Sequence, residues 1–420
     1  MNRDYLKQIM TDQKDTYLSN PAIERNYPLE DHVNYCFVGI RRTGKSYMMY
    51  QLFRLLQENA IPLSQIVYVN FEDERLLEMS ADDLNVILEI GLEMAGVDNR
   101  PYLFLDEIQN IKGWEKFVRR IADMKYRINI TGSNSKMLSS EIASTLGGRF
   151  MIVDIYPYSF PEYLLAQGKN KNYLDILSTK DRAEVLGMYD QYVKYGAFPE
   201  LVGIRNKREF LNSIYQTIYL GDIITRNKIT NDFAVRLILK KIAESITKPL
   251  SFNRLGNILK SAGAAIGKQT VINYVGYMME SYMLFTLQNY AAKLIQKETS
   301  PKYYFMDTGL LGLMLMDCSS AQLENLVAIE LIRRFGREKV FYFENNVEID
   351  FYIPEEKLAI QVSMQVLDQI ETREREIGAF LKLRNFIEGA RCILITNSEE
   401  AELDCDGIHV SVVPAWKWLL

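Results

Sequence analysis

Gly39, Gly44, Lys45 and Ser46, in the run FVGIRRTGKSYMMY, stand at the spacing G-x-x-x-x-G-K-S. Those residue types at that spacing could hold a phosphate chain. Glycines let successive backbone N–H groups curl round one anion, a lysine ammonium reaches the terminal phosphates, and a serine hydroxyl helps to hold a magnesium ion. The run follows an apolar strand candidate and opens a helix candidate, which is the context this chemistry needs. The expected nucleotide-binding stretch is therefore Gly39, Ile40, Arg41, Arg42, Thr43, Gly44, Lys45, Ser46 and Tyr47. ATP is the expected ligand and Mg²⁺ the expected cofactor, because no guanine-reading NKxD motif occurs in suitable context. Only the backbone of such a loop must touch phosphate, so Arg41 and Arg42 are free to point outward.

Hydrolysis needs acids as well. PYLFLDEIQN brings an apolar strand up to Asp106 and Glu107. Asp106 would join Ser46 in holding the metal, and Glu107 would orient and polarise the attacking water. NITGSN ends a further strand, where Ser133 or Asn134 could hydrogen-bond the γ-phosphate or that water. A cation at the γ-phosphate also aids the transfer, and Arg149, on the glycine turn of STLGGRF, is the candidate, with Arg41 and Arg42 as rivals. Packing or a surface position would explain the Arg149 guanidinium equally well.

Positioning these groups requires a sheet. Five short apolar runs alternate with helical patterns and predict parallel strands at Tyr35–Val38, Gln65–Phe71, Tyr102–Asp106, Arg127–Thr131 and Phe150–Ile155. Apolar residues at helical spacing follow as far as Pro249. SFNRLGNILKSAGAAIGKQTVINYVGYMMESYMLFTL then suits a helix-turn-helix with a wing. Beyond Pro301 a second α/β pattern begins, with helix 322–334, strands 340–343, 349–353 and 358–362, helix 369–383, and strands 392–396 and 409–413.

Composition narrows the classes. Of 420 residues, 48% are apolar and 25% charged, as in a globular protein. No uncharged apolar run reaches the roughly 18 residues of a membrane span. MNRDYLKQIMTDQKD lacks an apolar signal core, so a cytoplasmic address is expected. Cys36, Cys318, Cys392 and Cys405 show no CxxC spacing, and His32 and His409 are the only histidines, which argues against zinc and disulfides. The formal net charge of −5 means that nucleic acid could be drawn only by a local basic face.

The ordered runs GIRRTGKS, VNFEDERL, FLDEIQNIKGWEKFVRR, TGSNSKMLSSEIASTLGGRF, YPYSFPEYL, YGAFPE and VVPAWKWLL carry a family resemblance. The chain resembles the bacterial and archaeal AAA-type P-loop ATPases that have an AAA_14 core and a C-terminal DUF4143 region. The resemblance implies an ASCE-type parallel-sheet ATPase domain at 1–158, a helical segment at 159–248, a winged helix at 249–300, and a domain resembling the PD-(D/E)xK nucleases at 301–420. Nucleases of that kind need a helix acid, a strand acid and an acid-x-Lys. Glu324 and Asp350 stand in suitable places, but the third position reads Gln361-Val362-Ser363, and Lys357 comes four residues too early. A degenerate nuclease fold is therefore expected, used for binding or assembly.

In the winged-helix candidate, Lys268, Gln269, Thr270 and Asn273 would face double-stranded DNA or a protein partner. The leading expectation is an Mg²⁺-dependent ATPase, with a homo-oligomer or a protein partner expected, whose nucleotide state repositions the later domains. A nucleotide-gated DNA-binding or signalling switch with little turnover, and an active C-terminal nuclease, are the alternatives.

Overall fold

The computed structural model describes residues 2–18, 23–96, 99–134, 146–169, 178–264, 266–293, 297, 299–315 and 319–420. Residues 135–145 of the TGSNSK…GGRF run and Cys318 lie outside them. The chain forms two compact units, Met1–Tyr156 with Glu280–Tyr282, and Pro157–Met279 with Met283–Leu420.

The first unit is built on five parallel strands, β1 (Tyr35–Val38), β2 (Ile66–Asn70), β3 (Tyr102–Asp106), β4 (Arg127–Gly132) and β5 (Met151–Asp154), in the order β2-β3-β4-β1-β5. Each agrees with its expected range to within a residue at either end. YCFV and the apolar parts of IVYVN and YLFLD are buried, as a parallel sheet covered on both faces demands. Around the sheet lie α1 (Arg3–Leu18), α2 (Lys45–Glu58), α3 (Leu84–Ala95) and α4 (Trp114–Asp123). Met48, Met49, Leu52, Phe53 and Leu56 recur at helical spacing on α2 and pack with Tyr35, Phe37 and Phe104. Helix α1, which the sequence reading did not assign, contacts β2, an edge strand. There Gln13 accepts from Asn70 N at 2.9 Å and donates to Asn70 O at 3.1 Å, satisfying edge groups that would otherwise stay open.

β4 lies between β1 and β3, so the loop after β1 and the acids ending β3 are separated by two strand spacings, about 10 Å. The register pairs Val38 with Gly132 and Asn70 with Asp106, so these strand ends line one edge of the sheet.

The second unit opens with α5 (Phe160–Ala166), α6 (Thr179–Tyr195), α7 (Lys207–Gln216) and α8 (Asp232–Ala243). Ser159 and Glu162 of YSFPEYL form a reciprocal cap at α5. A π-helical stretch, Thr217–Thr225, continues α7. Then come α9 (Phe252–Ser261), α10 (Lys268–Glu280) and an antiparallel pair, β6 (Leu284–Leu287) with β7 (Lys302–Phe305).

After α11 (Thr308–Met314) and α12 (Ser319–Phe335) a mixed sheet forms from β8 (Phe341–Glu344), β9 (Glu348–Ile353), β10 (Leu358–Ser363), β11 (Arg391–Thr396), β12 (Ala401–Cys405) and β13 (Ile408–Pro414). Its order is β12-β13-β11-β10-β9-β8. The packing helix α13 (Ile370–Leu383) and a closing turn, α14 (Ala415–Trp418), complete the unit. Phe343, Ile349, Tyr352, Phe380, Leu394, Val410 and Val412 share its core.

Candidate nucleotide site

The loop after β1 is shaped by what it cannot hold. A Cβ on Gly39 would lie 2.2 Å from the Ile155 carbonyl oxygen, and Gly39 itself has φ +149°. Gly44 caps α2 at φ 90°, and Arg42 is also left-handed at φ 65°. Thr43 Oγ1 donates to Ile40 O at 2.9 Å, which closes the loop on itself. The sequence gives no motif for the group beneath it. The buried Arg25 guanidinium donates to Thr43 O and to Tyr156 O, both at 3.0 Å, and so ties the loop to the segment after β5.

Lys45 is buried, with Nζ 3.2 Å from Ile40 O and 3.6 Å from Glu107 Oε1. The Asp106 carboxylate is held on three sides. Tyr68 Oη donates to Oδ2 at 2.7 Å, Thr131 Oγ1 donates to Oδ1, and the Ser46 hydroxyl adds a third bond. Burial, and then the adjoining Glu107, push the Asp106 carboxyl above the usual carboxylate range against those bonds.

Glu107 leaves the strand at φ 52°, a strained value for a side chain of this size. Thr131 secures that turn by accepting from Glu107 N at 2.8 Å. Breaking the strand's alternation lets two neighbouring carboxylates serve one site. Burial pushes Glu107 up, but Lys45, Gln109 and Arg41 pull it below its ordinary value. Ser133 is wholly buried, and its hydroxyl adds a further pull that lowers Glu107. Asn134 is buried beside it at the end of β4. A cavity of about 350 Å³ opens against Ser46 and Asp106, walled in part by Tyr47, Tyr68, Asn70 and Gln13.

Gly39, Lys45, Ser46, Asp106, Glu107 and Ser133 thus converge. The donor set fits a phosphate chain and a hard cation, with a cation, a hydroxyl and two carboxylates at one sheet edge beside a loop too tight for a Cβ.

Two of the candidate cations have partners of their own. Arg41 Nη1 pairs with the half-exposed Glu72 Oε1 at 2.7 Å, and its charge lowers the Glu107 carboxyl. Arg149 lies apart from the other site candidates in this chain. Its Nε pairs with Asp123 Oδ1 at 2.5 Å and its carbonyl accepts from Asn34. Asn34 precedes β1 and Arg149 precedes β5, so Arg149 sits at the sheet edge opposite the phosphate loop.

Farther along, Lys268, Gln269 and Asn273 are exposed at the start of α10, with Thr270 half-buried, while Val271, Tyr274, Val275 and Met278 face inward. Gln269 donates to Asn273 at 3.0 Å.

The AAA domain model AAA_14 matches residues 33–164. An uncharacterized protein of Methanocaldococcus jannaschii is 33% identical over 395 residues, covering 91% of this chain and 87% of its own. The chain belongs to the AAA_14 family of P-loop ATPases. An uncharacterized protein of Haemophilus influenzae, 29% identical, covers 90% of this AAA_14 chain and 92% of its own. A second model, a domain of unknown function described as DUF8612, matches 187–320, where the resemblance implied DUF4143 toward the C-terminus. Among solved structures, the Walker-type ATPase of Pyrococcus abyssi is similar at 13% identity and a TM-score of 0.44, over 73% of this chain and 94% of that one. The Orc1 protein of Aeropyrum pernix in complex with DNA is similar at 14% and 0.31, over 78% and 92%.

Proposed function

We propose that this AAA_14 protein hydrolyses ATP, with Lys45 binding phosphate, Ser46 and Asp106 holding magnesium, and Glu107 acting as general base. The observation that carries the reading is the buried Asp106–Glu107 pair, with Lys45 Nζ 3.6 Å from the Glu107 carboxylate. A lysine so placed keeps Glu107 ionised until phosphate oxygens compete for the ammonium, and a carboxylate released at that moment can accept a proton. Water then attacks the γ-phosphorus, ADP departs, and the water's proton passes to Glu107. Magnesium, when bound, offsets the negative charge on the phosphate oxygens. Ser133 and Asn134, just after the strand between loop and acids, would hydrogen-bond the γ-phosphate or the water.

The helix pair α9 and α10 followed by β6 and β7 supports a winged-helix reading, with Lys268, Gln269 and Asn273 on its open face for DNA or a partner protein. The four-part division at 158, 248 and 300 is proposed on the same footing. Steady-state hydrolysis by the full chain, with and without duplex DNA, is the test. Turnover that rises with DNA supports an ATPase coupled to the winged helix; tight ATP binding with negligible turnover in both conditions replaces it with a switch.

A further inference from the structure

The nuclease-like sheet carries a lysine that its own sequence pattern does not supply. Lys302 enters from β7, where it pairs with Leu287 of β6, and its side chain is completely buried. Its Nζ lies 3.0 Å from Glu348 Oε1, 3.8 Å from Glu324 Oε1 and 3.8 Å from Asp350 Oδ1, above the Tyr342 ring at 5.3 Å from its centroid. Glu324 and Asp350 are the helix acid and strand acid of the nuclease-like pattern.

The remaining groups are already committed. Tyr304 Oη donates to Glu324 Oε1 at 2.9 Å, and Val362 N donates to Asp350 Oδ2 at 2.9 Å. Gln361, at the third acid's position, accepts from Asp350 N at 2.8 Å and donates to Glu348 O at 3.1 Å, so both ends of its amide serve the sheet. Ser363 donates to Gln365 O, and Arg375 pairs with Glu376 on α13. Among the described residues no three acidic, histidine or cysteine side chains converge as metal ligands.

We propose that Lys302 is a built-in cation. Its ammonium takes the position between Glu324 and Asp350 that a divalent ion would need, which makes metal dispensable in this domain and leaves it without nuclease activity. Two buried carboxylates in one site demand a positive charge. Here a lysine from the β6–β7 pair provides it, so the same contact fastens that pair to the C-terminal sheet. The nuclease-like domain is then a docking part whose former catalytic acids hold a neighbouring strand in place.

The test uses the full chain, Mn²⁺ binding followed by electron paramagnetic resonance, and thermal unfolding. Wild type and Glu324→Gln/Asp350→Asn should bind equal amounts of Mn²⁺. Lys302→Met should gain one site, lost again when Glu324→Gln/Asp350→Asn is added, and its melting temperature should rise with millimolar Mn²⁺. If Lys302→Met alone does not fold, the triple variant Lys302→Met/Glu324→Gln/Asp350→Asn should still fold without metal, because it buries no charge. Failure of the triple variant to fold overturns the proposal. So does an Mn²⁺ site in the wild type that Glu324→Gln/Asp350→Asn abolishes, metal-dependent plasmid cleavage by the wild type, or a folded Lys302→Met that gains no site.

Discussion

Arg25 carries the clearest consequence at the scale of single residues. Its guanidinium satisfies two carbonyls, Thr43 O and Tyr156 O, beneath the phosphate loop. Arg25→Met leaves both without that donor and should cost about 2–4 kcal/mol of stability. Chemical denaturation with and without ATP checks this; a variant as stable as wild type would refute the tie. Gly39→Ala is the complementary change, since its Cβ meets backbone 2.2 Å away, and it should abolish ATP binding or folding of this unit in a calorimetric titration. Lys45, Ser46, Asp106 and Glu107 were legible because each lies in a short motif whose spacing is set by local geometry. Arg25 and Lys302 were not, because each acts across the fold on residues far away in sequence. The left-handed turn at Glu107 also had no sequence signal, glutamate being an uncommon choice there.

At the scale of elements, β1 to β4 were readable because their residues are largely buried on both faces and their sequences are correspondingly apolar, while β5, with Met151 and Ile152 exposed, was readable from its run of apolar residues. β12 was missed because AELDC alternates at an exposed edge, and α1 because RDYLKQIMTDQKDTYL buries little beyond Leu6, Ile9 and Met10. β7 was hidden by its brevity and by a lysine at its start. The joint before α11 has a pH dependence of its own. Asp307 caps that helix by accepting from Gly309 N and Leu310 N, takes a third bond from Ala197 N, and lies so close to Gly196 that a Cβ there would meet its Oδ1 at 1.9 Å. Burial pushes its carboxyl up to about 6 despite those three bonds. The unfolded value is about 3.9, so the folded chain binds this proton more tightly, and the stability it contributes is full below about pH 4 and lost as pH rises through about 6. Relative to Asp307→Asn, wild type should therefore lose on the order of 2 kcal/mol between about pH 4.5 and 7. Parallel unfolding free energies across that range would contradict it.

For the whole molecule, the described chain forms two compact units, Met1–Tyr156 with Glu280–Tyr282 and Pro157–Met279 with Met283–Leu420, and the change from βα alternation to helical spacing is visible in the sequence. The helices after Pro157, the β6–β7 pair and the C-terminal sheet belong to one compact unit, with β6 and β7 paired across about fifteen residues of chain. If the α10 face meets duplex DNA, Lys268→Ala/Gln269→Ala should weaken DNA binding in a fluorescence titration and leave ATP affinity unchanged; unaltered DNA binding would assign that face to a protein partner. Among the described residues no helix is long and apolar enough to cross a membrane. In the proposed function Glu107 activates water beside a phosphate loop that binds ATP without it. Glu107→Gln, which keeps the shape and removes the charge, should bind ATP as tightly as wild type in a calorimetric titration while turnover falls about 10²-fold or more. Hydrolysis by Glu107→Gln at the wild-type rate would contradict that claim.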